Sequence, residues 1–218
     1  MINFLYSNPL SFVFYILALF IALTIHEASH AWTADRLGDP TARLAGRISL
    51  NPLVHIDLYG LLFLFFFGFG WGKPVEYDPF NLKNSRKDSA LISLAGPASN
   101  LLLAVLLSIV LRLFILFNLS GLFIIGSLLL FPLITMNVLL GLFNLIPIHP
   151  LDGFAIVRGF LPREKAHEWD GLRRYGMIFL LLLIIPLGNG SMLSSFLQPL
   201  ASFIINLLIP AGRSAGIV

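Results

Sequence analysis

The sequence contains no cysteine, and only 11% of its 218 residues are charged. The absence of cysteine excludes a disulfide framework, a cysteine-ligated zinc site and a cysteine nucleophile. Soluble domains carry about 25% charged residues, so this chain has too few charges to cover a water-facing surface. A net charge of only +3, without a dense basic stripe, argues against a nucleic-acid binder. Because hydrophobic residues make up 57% of the chain, a disordered protein is also excluded.

Long apolar runs predict an all-α polytopic membrane protein, a single integral membrane domain over residues 1–218 with five to six transmembrane helices. A spanning helix needs about 20 mainly apolar residues. Candidate spans occupy residues 9–34, 90–117, 121–146, the shorter 175–187, and 192–210. The run 58–70 is too short to cross a core of about 30 Å as a straight helix. We therefore expect 58–70 to be a re-entrant segment.

Two segments between the apolar runs predict a short β element at the membrane surface. Residues 40–51 alternate polar and apolar side chains around Gly46, and residues 73–79 are similar. Proline and glycine interrupt both, which disfavours a helix. The free edge of such an element is suited to pairing with an extended peptide.

Positive charges indicate how the chain lies in the bilayer. Lys and Arg collect in cytoplasmic loops. If 58–70 is re-entrant, thirteen of the fourteen Lys and Arg residues fall on one side, and Arg112 remains near the far end of its helix. We therefore expect a multi-pass protein whose helices are embedded in the lipid bilayer and whose basic loops face the cytosol.

A metal-binding motif lies near the end of the first predicted span. His26-Glu27-Ala28-Ser29-His30 is an H-E-x-x-H sequence. Residues four apart share a helix face, so both imidazoles can reach one metal ion. Glu27 lies beside that face and can take a proton from metal-bound water. Since ionisable residues in a membrane mark functional sites, this pattern favours a catalytic metal centre over a polar patch at the interface.

A catalytic zinc ion takes three protein ligands and keeps one open position. Asp152 is the best third ligand, because it follows the run 121–146 at the same end of the molecule as His30. Prolines before Asp152 break the helix and let the chain turn the carboxylate inward. His149, three residues earlier, is a rival ligand, and His55 is a weaker one. One Zn²⁺ per chain is expected.

At these residues the chain resembles the site-2 protease family of intramembrane zinc metalloproteases. Three motifs match in order: the H-E-x-x-H sequence, Gly96-Pro97-Ala98-Ser99-Asn100, which is taken to open a helix, and Asn144-Leu145-Ile146-Pro147 running into Leu151-Asp152-Gly153. The resemblance is to the minimal form, with no room for a PDZ or CBS domain. It implies a three-helix catalytic core over about 10–160 and C-terminal helices over about 172–212. It also implies that His26, His30 and Asp152 bind zinc and that Glu27 is the general base.

The resemblance further implies a function: hydrolysis of peptide bonds in transmembrane segments of membrane-protein substrates, near the cytosolic side of a prokaryotic cell membrane. Asn144 is the predicted donor to the oxyanion, because it belongs to the motif beside Asp152. Asn137 shares its helix face, although an interhelical hydrogen bond is at least as good an interpretation. Asn100 is expected to fix helix contacts.

Two other functions use the same residues, a zinc-binding membrane transporter and a non-catalytic membrane scaffold. Transport sites lie near the midplane between structural repeats, and the sequence shows neither a repeat nor a second ionisable cluster across the bilayer. A scaffold descended from a protease would have lost one of the four key residues, and none is lost. The protease is therefore the favoured prediction.

Overall fold

The computed structural model describes residues 2–67, 69–185 and 191–209. Ten α-helices lie in these ranges, and two short 3₁₀ turns, Pro52–Val54 and Pro79–Asn81, lie between them. The helices are α1 (Ile2–Ser7), α2 (Pro9–Arg36), α3 (Thr41–Leu44), α4 (Leu58–Phe67), α5 (Ser85–Leu116), α6 (Ser120–Asn144), α7 (Asp152–Phe160), α8 (Arg163–Asp170), α9 (Arg173–Ile184) and α10 (Met192–Leu208).

Three helices, α2, α5 and α6, are long and apolar enough to cross a membrane. They have 28, 32 and 25 residues, and at 1.5 Å per residue each is longer than a hydrocarbon core of about 30 Å. Helix α5 packs against both of the others, and α2 also contacts α6. These three helices form the bundle on which the other elements are placed.

The prediction of five to six spans is not confirmed, because only three helices in the described ranges have the length and composition of a span. Helix α9 has 12 residues and α10 has 17, or about 18 and 26 Å along the axis. Helix α9 ends where Ile185 takes an extended conformation before Pro186, since a residue that precedes proline is disfavoured in a helix. The last residues of the predicted runs 175–187 and 192–210 lie outside the described residues.

The segment 58–70 begins as α4 and then returns beside its own start. Ile56 and Gly72 form an antiparallel bridge, and the backbone N–H of Lys73 donates to the carbonyl of His55 over 2.8 Å. The two ends approach so closely that a Cβ on Gly60 would lie 2.0 Å from the carbonyl oxygen of Trp71. This hairpin, residues 56–72, therefore has both ends at one place, the geometry that a re-entrant segment requires.

Aromatic contacts place the hairpin between two of the long helices. The ring of Phe65 meets Phe12 of α2 with 5.8 Å between centroids, and Phe69 meets Phe143 of α6 at 6.4 Å. The hairpin thus lies against the bundle near the end of α6.

The predicted β element is not confirmed, since the described residues contain an isolated bridge but no β-strand. For part of 40–51 the prediction was wrong, because Thr41–Leu44 is the short helix α3. Asp39 explains this: its carboxylate accepts hydrogen bonds from the backbone N–H and the hydroxyl of Thr41, which stabilises the first turn of a helix. Residues 73–78 have no regular secondary structure.

An apolar core lies between α5, α6 and α10, away from the polar motifs. Its buried members are Ala104, Leu111, Phe123, Ile134, Val138, Leu142 and Ala201. At its edge the C-terminal carbonyls of α10 accept hydrogen bonds from α5: Ser108 donates to Leu208 and Arg112 donates to Leu207 over 2.7 Å. The charge of Arg112, isolated in the sequence, therefore faces carbonyls that a helix end leaves without partners.

Candidate metal centre

His26, His30 and Asp152 come together on the described part of the bundle, with one ligand atom of each directed at the others. The two histidines lie one turn apart on α2, and Asp152 is the first residue of α7. The two Nε2 atoms are 3.0 Å apart. Oδ2 of Asp152 lies 3.1 Å from Nε2 of His26 and 3.3 Å from Nε2 of His30.

These separations fit a zinc ion. Ligand atoms about 2.0–2.2 Å from a tetrahedral zinc lie about 3.3–3.6 Å from one another, slightly more than the separations here. The open fourth position of such a site is the one that a catalytic zinc requires. The three residues also supply the nitrogen and oxygen donors that zinc accepts in place of cysteine.

Hydrogen bonds at the far side of each ring show which nitrogen is free to bind a cation. Nδ1 of His26 contacts Oδ1 of Asn100 over 2.7 Å, and Nδ1 of His30 contacts the carbonyl of Ile92 over 2.7 Å. Both oxygens are acceptors, so each Nδ1 carries a proton, and in the neutral ring each Nε2 presents a lone pair. Two lone pairs and the buried Oδ2 of Asp152, which has no other hydrogen-bond partner in the described part of the chain, repel one another unless a cation lies between them.

The proton position on His26 depends on a chain of amides that crosses three helices. Nδ2 of Asn100 donates to the carbonyl of Ala22 over 2.9 Å and to Oδ1 of Asn137 over 2.8 Å. Nδ2 of Asn137 donates in turn to the carbonyl of Leu133 over 2.8 Å. Because backbone carbonyls only accept, the orientation of both amides is determined, and Oδ1 of Asn100 must face His26. Both asparagines are fully buried.

Gly96 gives the two imidazoles room against α5. A Cβ at this position would lie 2.4 Å from Nε2 of His30 and 2.7 Å from Cε1 of His26. Gly96-Pro97 lies inside α5, which begins at Ser85, so the expectation that this motif opens a helix was wrong. Helix α5 contacts the two histidines at Ile92, Gly96 and Asn100, after its polar first turn.

Asp152 is placed by the tight turn between α6 and α7. A Cβ on Gly153 would lie 2.3 Å from the carbonyl of Leu145, so glycine is needed for α7 to begin so close to the end of α6. Helix α8 stabilises α7: the indole of Trp169 donates to the carbonyl of Phe154 over 3.0 Å, and Arg158 pairs with Asp170 at 2.8 Å.

Glu27 is buried beside the two histidines, and a backbone group from another segment orients it. Its Oε2 accepts a hydrogen bond from the N–H of Val75 over 3.1 Å. The carboxylate is therefore directed toward the segment that follows the hairpin, and its other oxygen remains available as a proton acceptor.

The other predicted candidates make contacts of their own. Asn144 is the last residue of α6, and one of the two N–H groups of its side-chain amide donates to the carbonyl of Leu140 over 3.1 Å. His149 packs on Phe154 with 5.7 Å between ring centroids, and burial together with the nearby Arg173 charge lowers the pKa of His149. His55 is fully buried and donates from Nε2 to the carbonyl of Ser49. Neither rival histidine belongs to the metal-binding group.

Two groups that shape the centre have no signal in the sequence, the carbonyl of Ile92 and the N–H of Val75. Every residue carries these backbone groups, so only the fold selects them. Asn100 was predicted to fix helix contacts; the structure adds that its amide accepts from His26.

A pair of helical histidines, an aspartate from another element and a neighbouring glutamate form the kind of centre that metal-dependent hydrolases use. The sequence profile of Peptidase family M50 matches residues 14–129 and 118–184. The chain therefore belongs to this family, that of the site-2 proteases, and is a zinc metalloprotease.

Relatives with curated names agree with this assignment. The chain is 38% identical over 192 residues to "Putative zinc metalloprotease YwhC" of Bacillus subtilis, covering 86% of this chain and 87% of that protein. It is 33% identical over 192 residues to "Putative zinc metalloprotease Rip2" of Mycolicibacterium smegmatis, covering 82% and 70%. Rip2 of Mycobacterium tuberculosis is 33% identical over 187 residues. No solved structure matches the chain.

Proposed function

We propose that this protein hydrolyses peptide bonds within transmembrane segments of membrane-protein substrates, near the cytosolic side of a prokaryotic cell membrane. The observation that carries the proposal is the convergence of three ligand atoms, two of them from the spanning helix α2 and one from α7, with the carboxylate of Glu27 nearby. His26, His30 and Asp152 hold one Zn²⁺, and Glu27 acts as the general base.

The position of the centre along α2 supports a substrate inside the bilayer. His30 lies six residues before Arg36, the last residue of α2, which corresponds to about 9 Å of helix. If the basic end of α2 marks the cytosolic boundary, the ligand atoms lie below it at the depth of a substrate's own transmembrane segment. A soluble peptide would have to leave water to reach them.

Each polar group at the centre has a part in hydrolysis. Zinc supplies a Lewis acid that lowers the pKa of water to about 7 and polarises the scissile carbonyl. Glu27 takes the proton of the attacking water and delivers it to the leaving amine. Its carboxylate is suited to this step because Val75 orients one oxygen and leaves the other free.

Replacing Glu27 by Gln tests the general base, because the amide keeps the size of the side chain and cannot accept a proton. We expect one zinc per chain to remain while cleavage of a model transmembrane substrate in liposomes falls at least about 10³-fold. Glu76→Gln is the matched control, since Glu76 is exposed beside Val75 and its loss should leave cleavage unchanged. Normal cleavage by Glu27→Gln would reject the mechanism.

Asn144 supplies the donor that stabilises the oxyanion. It lies at the end of α6, directly before the turn that leads to Asp152, and one of its N–H groups is not used within α6. We expect Asn144→Ala to lower kcat about 10²- to 10³-fold with zinc content unchanged. An equal loss of zinc would show that Asn144 stabilises the turn instead.

A further inference from the structure

Arg47 is a buried cation in the loop that follows α3. Only 6% of its surface is exposed, and within the described residues its guanidinium meets backbone carbonyls and no carboxylate. Nη1 donates to the carbonyl of Val54 over 2.7 Å, and Nη2 donates to the carbonyl of Lys73. Burying a charge without an ion pair is costly, so this arrangement calls for a reason beyond packing.

The two carbonyls lie just outside opposite ends of the hairpin 56–72. Val54 lies just before the bridge between Ile56 and Gly72, and Lys73 lies just after it. The guanidinium is a planar fork with several donors, so one side chain fixes both ends. Lys73 is also bound through its N–H to the carbonyl of His55, so both of its backbone groups are held.

From Lys73 the chain reaches the general base in two residues. Pro74 follows, and its ring fixes φ near −65°. The next backbone N–H is that of Val75, and it donates to Oε2 of Glu27 over 3.1 Å. Because Pro74 is stiff, the position of the Lys73 carbonyl determines where the N–H of Val75 lies, and that N–H orients Glu27.

We propose that Arg47 is a positioning residue for Glu27, acting through Lys73, Pro74 and the N–H of Val75. This inference rests on the proposed function of Glu27 as general base. Arg47 touches neither substrate nor zinc ligands in this arrangement. Its role is to place the N–H of Val75 so that the carboxylate of Glu27 is directed at the reacting water.

The decisive variant leaves Arg47 intact. Pro74→Gly keeps every hydrogen bond of Arg47 and removes only the stiffness between Lys73 and Val75. We expect kcat to fall about 10-fold, with KM within twofold and one zinc per chain, because small misplacements of a catalytic group cost rate rather than binding. The Tm should fall no more than in the proline control below, since both changes free the unfolded chain. Pro79→Gly, the same change beyond the contact with Glu27, should leave kcat unchanged.

Arg47 itself is tested by Arg47→Ala and Arg47→Lys. We expect Arg47→Ala to lower kcat about 10- to 100-fold with zinc retained, and Arg47→Lys to recover part of this loss, since an ammonium can donate to the same carbonyls without the fork. The control is Arg43→Ala, because Arg43 is exposed and pairs with Asp35 on the outer surface.

A double-mutant cycle separates positioning from general support. Val75→Pro removes the N–H from which Glu27 accepts a hydrogen bond. If Arg47 acts through that N–H, the fall in kcat of the double variant Arg47→Ala/Val75→Pro will be smaller than the product of the falls in the two single variants. Multiplying losses, or a Pro74→Gly variant with normal kcat, would overturn the proposal. These outcomes differ from failure of the proposed function, in which Glu27→Gln itself cleaves normally.

Discussion

The two candidate ligand histidines and Glu27, the proposed general base, are next to each other on α2, yet different kinds of structure orient them. His26 is oriented by the amide of Asn100 on α5, which Asn137 of α6 and the carbonyl of Ala22 on α2 hold in turn, and all three residues are fully buried. Glu27 is oriented by one backbone N–H from a segment without regular secondary structure. The helical side of the centre, which holds His26 and His30, cannot shift without repacking the bundle. The loop side, which holds Glu27 through the N–H of Val75, depends on a few hydrogen bonds. Changes on the helical side should therefore cost zinc, and changes on the loop side should cost rate.

The largest expected effect comes from removing a ligand on the helical side. Asp152→Ala deletes the third ligand atom and leaves two histidines, so zinc per chain should fall from one to near zero and cleavage at least about 10³-fold. Elemental analysis and a liposome cleavage assay measure the two quantities. Asp35→Ala, which removes an acid from the outer face of α2, serves as the control. Full zinc content in Asp152→Ala would remove Asp152 from the ligand set.

Gly96→Ala should have the next largest effect, since it adds one methyl group against the imidazoles. The added Cβ would lie 2.4 Å from Nε2 of His30, so the ring must turn away from the metal position. We expect zinc affinity to fall about 100-fold, measured by competition with a chelator. Gly121→Ala is the matched helical control, because a Cβ there would meet nothing within 4 Å. Equal zinc affinities in the two variants would contradict the geometry.

The amide chain predicts a graded loss within the helical side. Asn100→Leu removes the acceptor for His26 and should weaken zinc binding about 10- to 100-fold. Asn137→Leu leaves that acceptor in place and removes only a neighbour that orients it, so a smaller loss is expected. Chelator competition on both variants checks the order, and a larger loss for Asn137→Leu would show that the chain acts through packing.

The smallest effect concerns the loop side and its response to acid. Burial opposes ionisation of Asp39, but hydrogen bonds from Thr41, Asn81 and the N–H of Asp78 lower its pKa below the ordinary value. Its contribution to stability is then fully present above the unfolded pKa of about 3.9 and is lost as the pH falls through the lower folded value.

Asp39→Asn makes this prediction measurable, because the amide does not titrate. The Tm of the unchanged protein should exceed that of the variant at pH 5, and the gap should narrow as the pH falls below about 3.9. A gap that is constant over this range would show that the charge of Asp39 is not what stabilises the loop.

The residues with distinctive chemistry were predictable from the sequence, and those that act through the backbone were not. His26 and His30 could be named as candidate ligands because few side chains bind zinc and their spacing suits one helix face, and Asp152 because it follows a broken helix end on the same side. The N–H of Val75 could not, since any residue in that place offers one. Asp39-Pro40-Thr41 is an N-terminal helix signal, but the alternation of polar and apolar residues that follows it is typical of a strand and conceals helix α3. Helix α9 is short because Pro186 follows it. The apolar composition of the run 175–187 conceals this signal.

The acceptors that fix this centre are largely main-chain oxygens, at Ala22, Ile92, Leu133, Val54 and Lys73. An alanine scan would not detect these acceptors, because it changes side chains and leaves the carbonyls in place; a loss at Ile92 or Leu133 would report the buried side chain instead. Any substitution that the packing tolerates keeps the carbonyl for the same reason. Two relatives can therefore differ at each of these five positions and still build one geometry, and a comparison of their sequences would underestimate how much of the site they share.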